Sequence, residues 1–144
     1  MNKNVTNLSG VPSWMLSVLS RMMEITGKTH LEEVWPNIEV FFHGGVAFTP
    51  YRKQYEQLIT SPNMHYMETY NASEGFSGLQ NDPSDKSMLL MLDYDVFYEF
   101  IPMDEIGKEN PTIVPLWGVE TGKNYAMVIS TSCGLGRYEI GDTV

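Results

Sequence analysis

Ile38-Glu39-Val40-Phe41-Phe42-His43 is aromatic and β-branched, has the length of one strand, and stops at Gly44-Gly45. That pattern reads as a buried β-strand. Pro50 to Ile59 carries proline in its first turn, as suits a helix, and Met64 to Tyr70 reads as a second strand. Strand, helix and strand in that order favour a parallel pair joined by a crossover helix, hence an α/β fold with a mixed sheet. In such sheets ligands gather beyond the carboxyl ends of the strands. Gly44-Gly45 and the segment Tyr70-Asn71-Ala72-Ser73-Glu74-Gly75 both fall at that edge.

Working upstream, Trp14 to Ile25 is apolar and periodic, with Trp14, Val18, Met22 and Ile25 recurring at three- and four-residue spacing. Ser13 is placed to cap this helix and Gly27 to stop it. Met15, Leu16, Leu19 and Met23 widen the apolar surface beyond one stripe, so the helix needs cover on more than one side. Leu31 to Trp35 reads as a short second helix closed by Pro36.

Downstream, helical patterning nearly vanishes. Ser87 to Leu92, Val96 to Ile101 and Tyr125 to Ser130 read as strands, and Asp93-Tyr94-Asp95 as a tight turn pairing the first two. Antiparallel strands are expected here, with Pro102 to Pro115 as a loop.

The 144 residues have the size of one domain and can bury roughly two-thirds of the unfolded surface. No apolar run approaches the roughly 20 residues that span a bilayer, and the polar start lacks the core of a signal peptide. A membrane partner is therefore not expected, and the cytoplasm is the default location. The net charge of −9 argues against nucleic acid, whose phosphates need a basic surface. An acidic chain can still bind ATP if metal ions and backbone N–H groups carry much of the phosphate recognition. The single cysteine, Cys133, excludes an internal disulfide and reads as an ordinary, partly buried thiol.

Glu74 is a hard oxygen ligand suited to Mg²⁺, and the neighbouring Ser73 hydroxyl can donate to a phosphate oxygen. The Tyr70 ring can stack on a base, and Gly75 lets the backbone pass close to a ligand. Near the end of the chain, Gly134-Leu135-Gly136-Arg137-Tyr138-Glu139-Ile140-Gly141-Asp142 offers a second carboxylate. Asp142 can accept two hydrogen bonds from the vicinal hydroxyls of a ribose. Taken singly, each segment also fits a solvated surface turn.

Val40 to Gly45, then Tyr70 to Phe76, then Tyr98-Glu99-Phe100-Ile101-Pro102, then Gly134 to Asp142 together resemble the auxin-responsive acyl-acid amido synthetases and their bacterial relatives, in the acyl-adenylate-forming superfamily. The resemblance runs from about Leu8 to Val144. It implies a large N-terminal adenylation domain that uses ATP and Mg²⁺ to activate a carboxylic acid as its adenylate. An amine such as an amino acid then takes the acyl group. By that resemblance Tyr70, Asn71, Ala72 and Gly75 flank the adenine, and Gly44 and Gly45 wall it with backbone. Ser73 and Glu74 are the catalytic pair, Ser73 near the α-phosphate and Glu74 on the metal, and Asp142 holds the ribose.

The chain departs from the family pattern at Gly136, where an aromatic residue is common, and at Glu139, where a basic one is. The family's upstream phosphate-binding loop and its smaller C-terminal domain have no counterpart here. The expectation is thus a single internal fragment over residues 1–144, α/β over 1–80 and β-rich over 81–144. It is expected to be inactive alone and to self-associate through the apolar face between Trp14 and Ile25. The alternatives are a non-catalytic remnant that binds a small ligand or another chain, and a ligase of the acyl-CoA type.

Overall fold

The computed structural model describes residues 3–144. The chain divides into two compact units, the first ending at Leu90 and the second running from Met91 to Val144.

The first unit is a mixed sheet carrying β1 (Asn7–Gly10), β2 (Val40–His43), β3 (His65–Ala72), β4 (Gly75–Leu79) and β5 (Leu89–Leu90), in that spatial order. β1, β2 and β3 are parallel, and β3–β4 and β4–β5 are antiparallel. Helix α1 (Pro12–Thr26) links β1 to β2, and α2 (Arg52–Leu58) links β2 to β3. Parallel neighbours need such crossovers, and the order β1-β2-β3 is what two successive ones produce.

Phe41 of β2 is fully buried and stacks on Tyr55 of α2, centroids 5.0 Å apart. The Tyr55 hydroxyl donates to the Pro12 carbonyl at the start of α1, at 2.9 Å. One aromatic residue thus ties both helices to β2. Leu16, Leu19, Met22 and Met23 complete the contribution of α1 to this core.

Several expectations shift. Pro12 opens α1 and the cap position is Val11, without a side-chain bond, so Ser13 sits inside the first turn instead of capping it. Proline is favoured there because its missing N–H would have no partner anyway. Gly27 stops the helix as expected, in the left-handed region at φ 66°. The buried stripe is Leu16, Leu19, Met22 and Met23, whereas Trp14, Val18 and Ile25 are 73%, 60% and 64% exposed. A helix apolar on most sides gives two overlapping periodicities, and spacing alone picks either. The expected helix at Leu31 is only a 3-10 turn, Leu31–Glu33.

The second unit is an antiparallel sheet of β6 (Val96–Pro102), β7 (Val114–Pro115), β8 (Tyr125–Thr131) and β9 (Tyr138–Thr143), in the order β7-β6-β8-β9. Residues 125 to 129 of β8 are buried without alternation. Ile101, Ala126 and Val128 form its core, with Ile113 packed against them. Asp93-Tyr94-Asp95 does not close a hairpin, because Leu89–Leu90 pairs with β4 in the first sheet and Val96 opens the second. Cys133 is exposed, not partly buried, in the turn after β8. No helix among the described residues is long and apolar enough to cross a membrane.

Candidate functional site

Gly44 and Gly45 leave the carboxyl end of β2 as backbone alone. A Cβ at Gly44 would run into the Thr69 carbonyl oxygen, closer than any side chain tolerates. The Thr69 hydroxyl in turn donates to the His43 carbonyl at 3.2 Å. Gly45 adopts φ 80°, in the region glycine enters without cost. The glycine pair is therefore fastened alongside the residue preceding Tyr70, at the expected edge of the sheet.

Tyr70–Gly75 is not the loop expected from sequence. β3 continues through Ala72, Ser73 and Glu74 make a two-residue turn, and Gly75 begins β4 opposite Ala72. Tyr70, Asn71 and Ala72 are strand residues. Tyr70 faces Gly78 while Asn71 faces Phe76, so Ser77 is an extra residue on β4, a β-bulge. A bulge bends the strand and re-aims the side chains beside it, and it hides the two-residue period from the sequence. Ser73 is exposed, and Tyr70 and Glu74 are half-buried.

Asp142 also lies within a strand. Val128 pairs with Glu139 and Ala126 with Thr143, so Met127 alone opposes Ile140, Gly141 and Asp142. Gly141 takes φ 90° in this second bulge, and Asp142 is exposed. The start of β9 is held by Arg137, itself in the left-handed region at φ 47°. Its Nε and Nη2 each donate to one oxygen of Glu99 at 3.0 Å, and its backbone N–H donates to the Ser130 hydroxyl at 2.9 Å. Glu99 is only 8% exposed. Hydrogen bonding to Glu99, reinforced by its charge, raises the Arg137 pKa. The sequence comparison includes Glu99 but gives it no role; an acid within an otherwise apolar strand was the available signal.

Gly136 and Glu139 do not disturb this arrangement. Nothing lies within 4 Å of a Cβ built at Gly136, and both residues are exposed.

Ser73 and Glu74 bring two hard oxygen donors to one turn. Among the described residues no group of three His, Cys, Asp or Glu could hold a metal. A cation here fits the Mg²⁺ pattern of one carboxylate, phosphate oxygens and water, not a protein cage.

The family model described as the GH3 family N-terminal domain matches residues 1–64, and that of the GH3 family central domain matches residues 89–144. The chain is 31% identical over 120 residues to the indole-3-acetic acid-amido synthetase GH3.3 of Arabidopsis thaliana, covering 78% of this chain and 19% of the relative. It is 32% identical over 125 residues to the synthetase GH3.8 of Oryza sativa subsp. indica, covering 79% and 20%. The jasmonoyl–L-amino acid synthetase GH3.5 of Oryza sativa subsp. japonica is 31% identical over 128 residues, covering 77% and 22%. The chain thus spans about a fifth of the length of these relatives. The fold matches the GH3.15 acyl acid amido synthetase with a TM-score of 0.61 at 22% identity, over 86% of this chain and 23% of that one. The same synthetase in complex with 2,4-DB matches at TM-score 0.61 and 21% identity, over 86% and 22%.

Proposed function

The chain belongs to the GH3 family, and from that premise we propose that it contributes nucleotide-binding residues to an ATP-dependent acyl acid amido synthetase. The reaction joins a small carboxylic acid to an amine through an acyl-adenylate. Gly44 and Gly45 present backbone to the adenine, with Tyr70, Asn71, Ala72 and Gly75 around it. Ser73 donates its hydroxyl to the α-phosphate, and the Glu74 carboxylate holds Mg²⁺. Asp142 accepts hydrogen bonds from the ribose hydroxyls. When bound, Mg²⁺ would offset the negative charge that develops at the α-phosphate and on departing pyrophosphate. This reconciles a nucleotide substrate with a net charge of −9.

The observation that carries this reading is the contact between Gly44 and Thr69, which sets a side-chain-free backbone beside the Tyr70–Gly75 hairpin. Its test is ATP binding and acid-dependent ATP–pyrophosphate exchange by the full-length protein. Glu74→Gln should lower exchange, since one carboxylate carries the metal, and Asp142→Ala should weaken ATP affinity. Unchanged ATP affinity in Asp142→Ala would remove the ribose role. The 144-residue chain alone is proposed to lack exchange activity.

We read the stripe of Trp14, Val18 and Ile25 as the surface by which the isolated chain meets a second copy. Arg21 and Glu24 beside it pair at 2.7 Å, so in an acidic molecule this face is locally neutral. Light scattering should report a dimer or larger species that Val18→Glu returns to monomer. A monomer at high concentration would remove the proposal.

A further inference from the structure

Strand β9 is paired with β8 in two registers at once. At its start Tyr138 faces Ile129 and Glu139 faces Val128, whereas at its end Thr143 faces Ala126. Just beyond, the Tyr125 and Val144 backbones exchange hydrogen bonds at 2.8 and 2.9 Å. Four steps along β9, from Glu139 to Thr143, thus cover two along β8, from Val128 to Ala126. Carried through to the end, the first register would set Asp142 opposite Tyr125. Carried back, the second would set Asp142 opposite Met127 in a regular ladder. The bulged arc that displays Asp142 exists only while both ends are held.

The two ends are held by different means. Tyr125 and Val144 are joined through backbone, whatever their side chains. The start hangs on Arg137, whose Nε and Nη2 fork onto the two oxygens of Glu99 and whose N–H donates to the Ser130 hydroxyl. A forked guanidinium–carboxylate pair fixes direction as well as distance. The Arg137 backbone, at φ 47°, keeps a conformation that a residue with a side chain holds only where its surroundings impose it. Glu99 is itself anchored, 8% exposed and paired with Val128. Glu99, Val128 and Glu139 form one row across three strands. Glu139 adds a second carboxylate to that row, and Arg137 supplies the cation.

We propose that Glu99 and Arg137 are positioning residues for nucleotide recognition. Without touching the ligand, they hold the start of β9 in the first register and so place the Asp142 carboxylate for the ribose hydroxyls. This role rests on the assignment of Asp142 to the ribose. Once the fork is lost, the second register is free to spread back toward Tyr138. The start of β9 then moves by two residues, about 7 Å, and Asp142 is drawn into the ladder. The loss falls on ribose recognition, not on nucleotide binding as a whole.

ATP and 2′,3′-dideoxy-ATP differ only in the two ribose hydroxyls, which makes them the probes, titrated into the full-length protein by calorimetry. ATP should bind about tenfold tighter or more, through charge-assisted hydrogen bonds, and Asp142→Ala should abolish that preference. Glu99→Gln keeps the shape and loses the charge, while Arg137→Lys keeps the charge and loses the fork. Each should cut the preference to about twofold or less and leave dideoxy-ATP affinity within about twofold. Added to Asp142→Ala, Glu99→Gln should change the preference no further, because its effect passes through that carboxylate. A preference kept in both variants but lost in Asp142→Ala would overturn the positioning role and leave the ribose role standing. Equal weakening of both nucleotides would show a merely structural brace and overturn the positioning role too. No preference in the unaltered protein, or one that Asp142→Ala keeps, would remove the ribose role and the positioning role with it. If Glu99→Gln does not fold, Arg137→Lys, at a side chain 68% exposed, decides alone.

Discussion

The two units present their candidate carboxylates by different means. In the first, Glu74 tops a tight hairpin whose base is braced by backbone contact, with Gly44 against Thr69 leaving no room for even a methyl group. In the second, Asp142 rides on an exposed strand whose start is held by one forked ion pair, Arg137 to Glu99. Close packing resists displacement steeply, because interiors are filled to crystal-like density. An ion pair with its guanidinium in solvent yields more easily and is screened by salt. The first segment should therefore act as a rigid platform and the second as an adjustable one.

The largest effect expected of this contrast is at Gly44. Gly44→Ala forces a Cβ into the Thr69 backbone, at the upper end of overpacking costs, about 3 kcal/mol or more by denaturant unfolding. A loss below about 1 kcal/mol would break the comparison. Close behind is the pH response of the same unit. His43 titrates near 4 when folded against an ordinary 6.5, so the unfolded chain takes up the proton first as pH falls. Its contribution is intact above about pH 6.5 and lost down to about pH 4, on the order of 3 kcal/mol in total. His43→Gln should flatten that stretch of the stability–pH curve.

Arg137→Ala should cost less, since it leaves the nearly buried Glu99 without its partner while water reaches part of the site. The loss should shrink in high salt, which separates an ion-pair brace from a packed one. The smallest effect belongs to Gly136→Trp, which meets open space and should change stability by no more than about 0.5 kcal/mol.

The same contrast governs how much was legible in the sequence. Strand β2 announced itself because Phe41 and His43 alternate toward a core. β1 did not, since Leu8 is its one large apolar residue and the pairing with β2 is made by backbone. The candidate residues were found as segments but misread as loops. Tyr70–Asn71 and Gly141–Asp142 lie at bulges, and an extra residue such as Ser77 destroys the period that marks a strand. The Glu99–Arg137 brace joins residues 38 apart in sequence, beyond the reach of any local pattern. A cavity on the α2 face of the first sheet, lined by His43, Phe48, Arg52, Glu68 and Lys86 among others, depends on a helix, two strands and two loops at once.

The bulge at Gly141 has a further consequence. β9 borders its sheet, and a straight, apolar border strand would be a template for another chain to pair with. Here Glu139 and Asp142 place charge along that border, and the bulge bends it away from the flat geometry such pairing needs. The features that display Asp142 therefore also keep the protein from sticking to itself along this side. Asp142→Ala removes part of that guard, so the variant should precipitate at lower concentration than Asp142→Glu.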